Sequence, residues 1–180
     1  KISIVRQPQR PVKVLIIDDE DNIYQYCINN IDDGFDFNHV ASGKNALNLI
    51  KDYDLILLDK NFINNGPEDL IGDYENRQTE GLTILKAIRK KNKLIPIIMV
   101  TACADYDSAS RAMSLGAFDY VEWDALLIDP PHILLTKMLR ASQFEKQTKR
   151  SWIEQFSQMG LIGRSEAMIK VYEQIEYAAS

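Results

Sequence analysis

Two short runs of unbroken aliphatic residues, each closing in aspartate, constrain this chain more than any other feature. Val14-Leu15-Ile16-Ile17 ends in Asp18-Asp19, and Leu55-Ile56-Leu57-Leu58 ends in Asp59. Runs of that length without polar alternation read as strands buried on both faces, the situation of a parallel sheet. Residues just past the carboxyl ends of such strands lie at the edge where α/β proteins place ligands. Three carboxylates gathered there repel one another unless a cation lies between them, and oxygen-only ligation suits Mg²⁺. The expected site is a Mg²⁺-assisted acceptor for a phosphoryl group.

The rest of the chain supplies a frame for that edge. Apolar runs predict strands near residues 12–18, 35–41, 54–59, 95–101 and 117–122. Amphipathic spacing predicts helices near 20–30, 43–52, 80–92 and 105–115. Alternation of this kind implies an α/β fold, a doubly wound five-stranded parallel sheet with helices on both faces. One connection is out of proportion: residues 60–80 are polar, acidic and turn-rich, whereas βα loops usually run to roughly 2–6 residues. A lid or interaction surface is expected there, with a tolerated surface insertion as the plainer alternative.

Residues 1–11 read as a polar leader, since Pro8 and Pro11 resist regular structure. Past Asp124 the strand pattern stops, and Pro130-Pro131 precedes a long helical pattern from about 133 to 159. Its apolar ends suit pairing with a second copy, although packing of its first half on the sheet is the simpler reading. Ser165 is a credible N-cap for a last helix whose stripe is Met168, Val171, Tyr172, Ile175 and Ala179. That stripe meets no partner before Ser180, so the chain reads as a piece of a longer protein.

Bulk properties exclude several classes. At 180 residues with 46% apolar content the chain is long enough for one well-cored domain plus extra segments, and its net charge of −5 gives no general drive towards nucleic acid. No apolar run approaches the ~18 residues of a membrane span, no signal-peptide pattern is present, and a cytoplasmic protein is expected. Cys27 and Cys103 make no metal-ligand spacing and read as free thiols. Cys103 has no charged neighbour to lower its pKa, so a redox role is not expected. His39 and His132 lack ligand partners and read as surface or structural residues.

Taken together, the residues around 12–124 resemble the receiver domain of bacterial two-component response regulators. The resemblance rests on Val14-Leu15-Ile16-Ile17-Asp18-Asp19-Glu20, Asp54-Leu55-Ile56-Leu57-Leu58-Asp59, Ile95-Pro96-Ile97-Ile98-Met99-Val100-Thr101-Ala102 and Gly116-Ala117-Phe118-Asp119-Tyr120. It implies a flavodoxin-like receiver over residues 12–130 with a C-terminal linker helix. Asp59 would take a phosphoryl group from a sensor histidine kinase, a step open to an ionised carboxylate. Asp19 and Asp59 would ligate Mg²⁺ directly, with Asp18 acting through water and Asn61 through its backbone carbonyl. Thr101 would bond a phosphoryl oxygen, and Tyr120 would be the aromatic that turns inward when the threonine moves.

The sequence departs from that family at one point that matters. Where the family continues its fifth strand into lysine and proline, this chain has Trp123 and Asp124. An indole offers one neutral N–H and no compact positive charge. Lys60, the immediate neighbour of Asp59, should point to the opposite side and make a poor substitute. The acidic cluster is still expected to bind Mg²⁺, while phosphorylation should be slow or poorly coupled to conformation. A second reading therefore stands beside the first: an atypical pseudo-receiver serving as a phosphorylation-independent interaction or dimerisation module. A flavin-binding domain fits poorly, because an acidic first turn would repel a phosphate.

Residues 161–176 resemble the opening of the AAA+ domain of sigma-54-dependent transcription activators. That resemblance implies a linker or dimerisation helix over 131–160, the start of an ATPase domain over 161–180, and sigma-54 RNA polymerase as a partner of the longer protein. No G-x-x-x-x-G-K-[ST] loop occurs, so this stretch should not hydrolyse ATP. No helix-turn-helix with a basic recognition helix occurs either, so direct nucleic-acid contact is not expected of it.

Overall fold

A computed structural model describes residues 10–31, 34–102, 105–128, 132–161, 163 and 165–179. The expectations for the leader, Cys103 and Pro130-Pro131 therefore fall wholly or largely outside the described residues. The chain divides into two compact units, residues 1–142 and 143–180.

The first unit alternates strand and helix. Its elements are β1 (Val12–Ile17), α1 (Asn22–Asn30), β2 (Phe35–Val40), α2 (Gly43–Leu49), β3 (Leu55–Asp59), α3 (Glu80–Lys91), β4 (Ile97–Thr101), α4 (Tyr106–Ser114), β5 (Asp119–Glu122) and α5 (Trp123–Ile128). Short 3₁₀ turns at Ile50–Asp52 and Tyr74–Thr79 precede β3 and α3. All neighbouring strands are parallel, in the order β2-β1-β3-β4-β5. This is the doubly wound sheet expected from the sequence, with boundaries one or two residues tighter.

The unbroken apolar runs have the predicted cause. Leu15, Ile17, Ile56, Leu58, Ile97 and Met99 enter one buried layer, and Val14, Ile16, Leu55, Leu57, Ile98 and Val100 enter the other. Each central strand thus feeds two cores, and a polar residue on either side would cost desolvation. At the sheet margin β2 alternates between exposed and part-buried residues, as a half-covered strand should.

Past β5 the structure goes beyond the sequence reading. The chain enters α5 at Trp123 without a loop. Asp124 lies in the first turn, where a carboxylate complements the positive end of the helix dipole. A long helix, α6 (His132–Gln158), follows as expected. Leu134, Met138 and Ala141 from its first half are fully buried in the layer that also holds Val14 and Val121.

In the second unit, α6 ends at Gly160, whose φ of +83° suits a residue without a Cβ. Leu161 N–H donates to Phe156 O and Gly160 N–H to Ser157 O, closing the helix in a Schellman motif. The last helix, α7 (Glu166–Ala179), starts as predicted, with Ser165 Oγ accepting from Met168 N–H at 3.3 Å. Tyr172 stacks on Phe156 with centroids 4.4 Å apart, and its hydroxyl reaches the carbonyls of Leu161 and Gly163.

Candidate functional site

Strand order brings the carboxyl ends of β1, β3 and β4 side by side, so Asp18, Asp19, Asp59 and Thr101 meet at one edge. One carboxylate oxygen from each of Asp18, Asp19 and Asp59 lies within 4.8 Å of the other two. They share a cavity of about 310 Å³ with Asn61, Thr101 and Trp123. The geometric core of the sequence prediction is therefore present. Tyr120 does not line this cavity; it lies on β5 and packs against the other side of the sheet, among the partly buried residues of the Leu15 layer.

Each side chain is held by local backbone. Asp59 Oδ2 accepts from Asn61 N–H at 2.9 Å and Asp18 Oδ1 from Glu20 N–H at 3.0 Å. Asp19 Oδ2 accepts from Asn64 N–H at 2.6 Å. His39 Nε2 donates to Asp18 O at 2.7 Å while its ring stacks near Tyr24, a structural role at the rim of the site. Thr101 is almost wholly buried at the end of β4.

Clustering shows in the titration of the acids. Burial, then the neighbouring Asp18 charge, pushes Asp59 up to about 7. Burial and Asp19 push Asp18 up to about 6, and burial raises Asp19 as well. Carboxylates crowded in this way take up protons when no cation offsets their charge. The same donor set fits a small hard cation: three carboxylates converge, and the buried Asn61 Oδ1 has no partner among the described residues. Cys27 contributes nothing here, since burial pushes its thiol up to about 12.

Lys60 is turned elsewhere, as its position beside Asp59 implied. Its side chain is buried, and its ammonium lies 3.1 Å from Asp105 Oδ2 and 3.5 Å from Ser108 Oγ at the start of α4. Trp123 takes the cavity wall. Its ring meets Tyr26 edge-on at 5.4 Å, and the Tyr26 hydroxyl donates to Leu126 O.

The long connection from β3 to α3 is folded rather than loose, and its part in the site extends beyond the expected Asn61. Ile63 and Asn64 line the cavity, and Asn64 Nδ2 also reaches Glu20. Phe62 is fully buried and Leu70 nearly so. The anchor is Glu80, wholly buried, whose carboxylate accepts from Ile71 and Gly72 N–H. Lys44 N–H and Ser42 Oγ bind Asp69 O from the other side. The one sequence signal for this was a carboxylate immediately before a glycine at a helix start.

The response regulator receiver domain pattern matches residues 14–124. The chain belongs to that family. An NtrX-like response regulator of Rickettsia typhi is 27% identical over 170 residues, 93% of this chain and 33% of that protein. The DNA-binding transcriptional regulator NtrC of Proteus hauseri is 31% identical over 106 residues, 59% of this chain and 22% of its own. The crystal structure of NtrX from Brucella abortus superposes with a TM-score of 0.63 at 25% identity, covering 94% of this chain and 35% of that one. A CheY-like receiver domain protein from Methanospirillum hungatei superposes at 0.57 with 20% identity, covering 77% and 98%, which bears on the fold alone. The chain thus spans about a third of the length of its NtrX-like relatives. Among the described residues, no helix is long and apolar enough to cross a membrane.

Proposed function

We propose that this receiver domain accepts a phosphoryl group on Asp59 from a sensor histidine kinase, with Mg²⁺ held by Asp18, Asp19, Asp59 and Asn61. The supporting observation is the convergence of three carboxylate oxygens within 4.8 Å at the carboxyl edge of a parallel sheet. A bound divalent ion supplies charge neutralisation for the phosphoryl oxygens. Asp59 provides the attacking oxygen, and the bond from phosphorus to the donor breaks with its electron pair leaving on the donor. Asn61 N–H holds Asp59 Oδ2 in place. The buried Thr101 hydroxyl accepts the role of phosphoryl ligand, and Tyr120 that of the aromatic switch.

In the longer protein, the receiver would control assembly of a downstream AAA+ domain and its engagement of sigma-54 RNA polymerase, in the cytoplasm. Association of two copies through residues 131–160 fits the exposed Leu139 and Phe144 on α6. The pseudo-receiver reading is favoured by one observation: Trp123, not an ammonium, lines the cavity.

Incubation with Mg²⁺ and a small phosphodonor, read by intact mass, tests the proposal. A gain of one phosphate that disappears in Asp59→Asn is expected. No gain favours the interaction module, and a gain that survives in Asp59→Asn rules out Asp59 as the acceptor.

A further inference from the structure

A second cavity, of about 440 Å³, lies between α3 and α4 and shares no lining residue with the acidic one. Leu82 and Leu115 give it an apolar floor, and Lys86 and Arg111 line it from opposite helices. Although the chain carries a net charge of −5, no carboxylate lines this cleft among the described residues. The one acid of α3, Glu80, is turned to the Ile71 and Gly72 N–H groups. The one acid of α4, Asp107, is exposed and outside the lining. Neither Lys86 nor Arg111 makes an ion pair among the described residues. Two cations facing one cleft repel each other unless an anion lies between them.

Hydroxyl groups complete the lining. Thr79 Oγ1 already donates to Asn76 O, and Ser114 Oγ to Ser110 O. The hydroxyls of Thr83 and Ser110 have no partner among the described residues and are open to a ligand.

We propose that this cleft binds an organic phosphomonoester, with its phosphoryl group between Lys86 and Arg111 and its organic body on Leu82 and Leu115. The donor set decides the class. A carboxylate brings one charge and two oxygens to an ammonium, a guanidinium and two hydroxyls. A phosphomonoester brings three terminal oxygens and a charge of about −1.5 to −2 at neutral pH, and a guanidinium meets it in a bidentate pair. The apolar floor and the volume, within the roughly 300–1,000 Å³ of small-molecule sites, leave room for the organic part. Binding is non-covalent and leaves the ester intact. A ligand held this way ties α3 to α4, the helix whose start Lys60 clasps through Asp105.

The test titrates the full chain with phenyl phosphate, inorganic phosphate and phenol, in EDTA so that no metal at the acidic edge attracts phosphate. Calorimetry gives the affinity, and amide NMR shifts give the place. Phenyl phosphate is expected to bind saturably at millimolar concentration, one per chain, with shifts at residues 82–86 and 110–115. Lys86 and Arg111 are exposed, so their replacement should leave the fold intact, which circular dichroism checks. Lys86→Ala and Arg111→Ala should each weaken binding about three- to tenfold. Lys90→Ala, on the same helix as Lys86 but outside the cleft, should leave it unchanged. No saturable binding, shifts confined to other parts of the chain, or equal weakening by Lys90→Ala would overturn the inference. Phenol binding as tightly as phenyl phosphate overturns the phosphoryl contact, and inorganic phosphate doing so overturns the organic body. Each of these results leaves the reading of Asp59 as acceptor untouched.

Discussion

The ammonium of Lys60 lies 3.1 Å from Asp105 Oδ2, so the residue beside Asp59 clasps the start of α4. Asp105 is also the N-cap of that helix, its Oδ1 accepting from Ser108 N–H at 2.7 Å. Hydrogen bonds from Ser108, then from Lys60, hold its carboxyl down at about 2. The stabilisation is complete above the usual aspartate range and is lost as pH falls through about 2. Asp105→Asn keeps a capping oxygen and loses the charge, whereas Asp105→Ala loses both the cap and the oxygen that accepts from Lys60. Thermal melts should rank wild type above Asn and Asn above Ala. Equal melting points for Asn and Ala would contradict the clasp.

The acidic pocket has the opposite sign of pH dependence. Asp59 and Asp18 titrate near 7 and 6 in the metal-free fold, above their ordinary value of 3.8. The folded chain therefore binds more protons than the unfolded chain between about pH 4 and 7, and its stability falls across that window as pH rises. Protons compete with Mg²⁺ for the same oxygens, so the rise in melting temperature on adding Mg²⁺ should grow over the same window. Asp59→Asn should flatten both trends. Melts in paired buffers with and without Mg²⁺ read them directly.

Glu80 ties the long connection to the fold. Glu80→Ala leaves the Ile71 and Gly72 N–H groups without their acceptor, at a cost of about 2–4 kcal/mol in denaturant unfolding. Amide exchange should quicken at residues 69–72, while α1 keeps its protection.

Gly81 is where α3 starts against the end of β3. A Cβ there would lie 2.0 Å from Asp59 O and 2.7 Å from Lys60 Cα, both backbone atoms with little freedom to move. Gly81→Ala should cost about 3 kcal/mol in stability. Because the displaced backbone is that of Asp59, labelling at Asp59 should slow as well. A variant with wild-type stability would show that this approach is looser than described.

The sheet and its acidic edge were legible because both depend on local pattern. Unbroken runs such as Leu55-Ile56-Leu57-Leu58 leave a strand only one environment, and the aspartates at their ends follow the strands. Thr101 was found in the same way, at the end of β4. Asn64 on Asp19 and Lys60 on Asp105 were not legible, since each joins residues more than 40 apart in sequence. Glu80 was hidden for a related reason: a carboxylate at a helix start usually faces water, and only the returning Ile71-Gly72 backbone buries it. The turn directly into α5 was missed because the sequence there offers no breaker between strand and helix.

The central claim is that Asp18, Asp19 and Asp59 share one divalent ion. Calorimetric titration of the metal-free chain with Mg²⁺ at pH 8 measures it most directly. One ion per chain is predicted, with binding weakened separately by Asp18→Asn, Asp19→Asn and Asp59→Asn. No heat of binding at millimolar Mg²⁺, or binding untouched by all three substitutions, would contradict it.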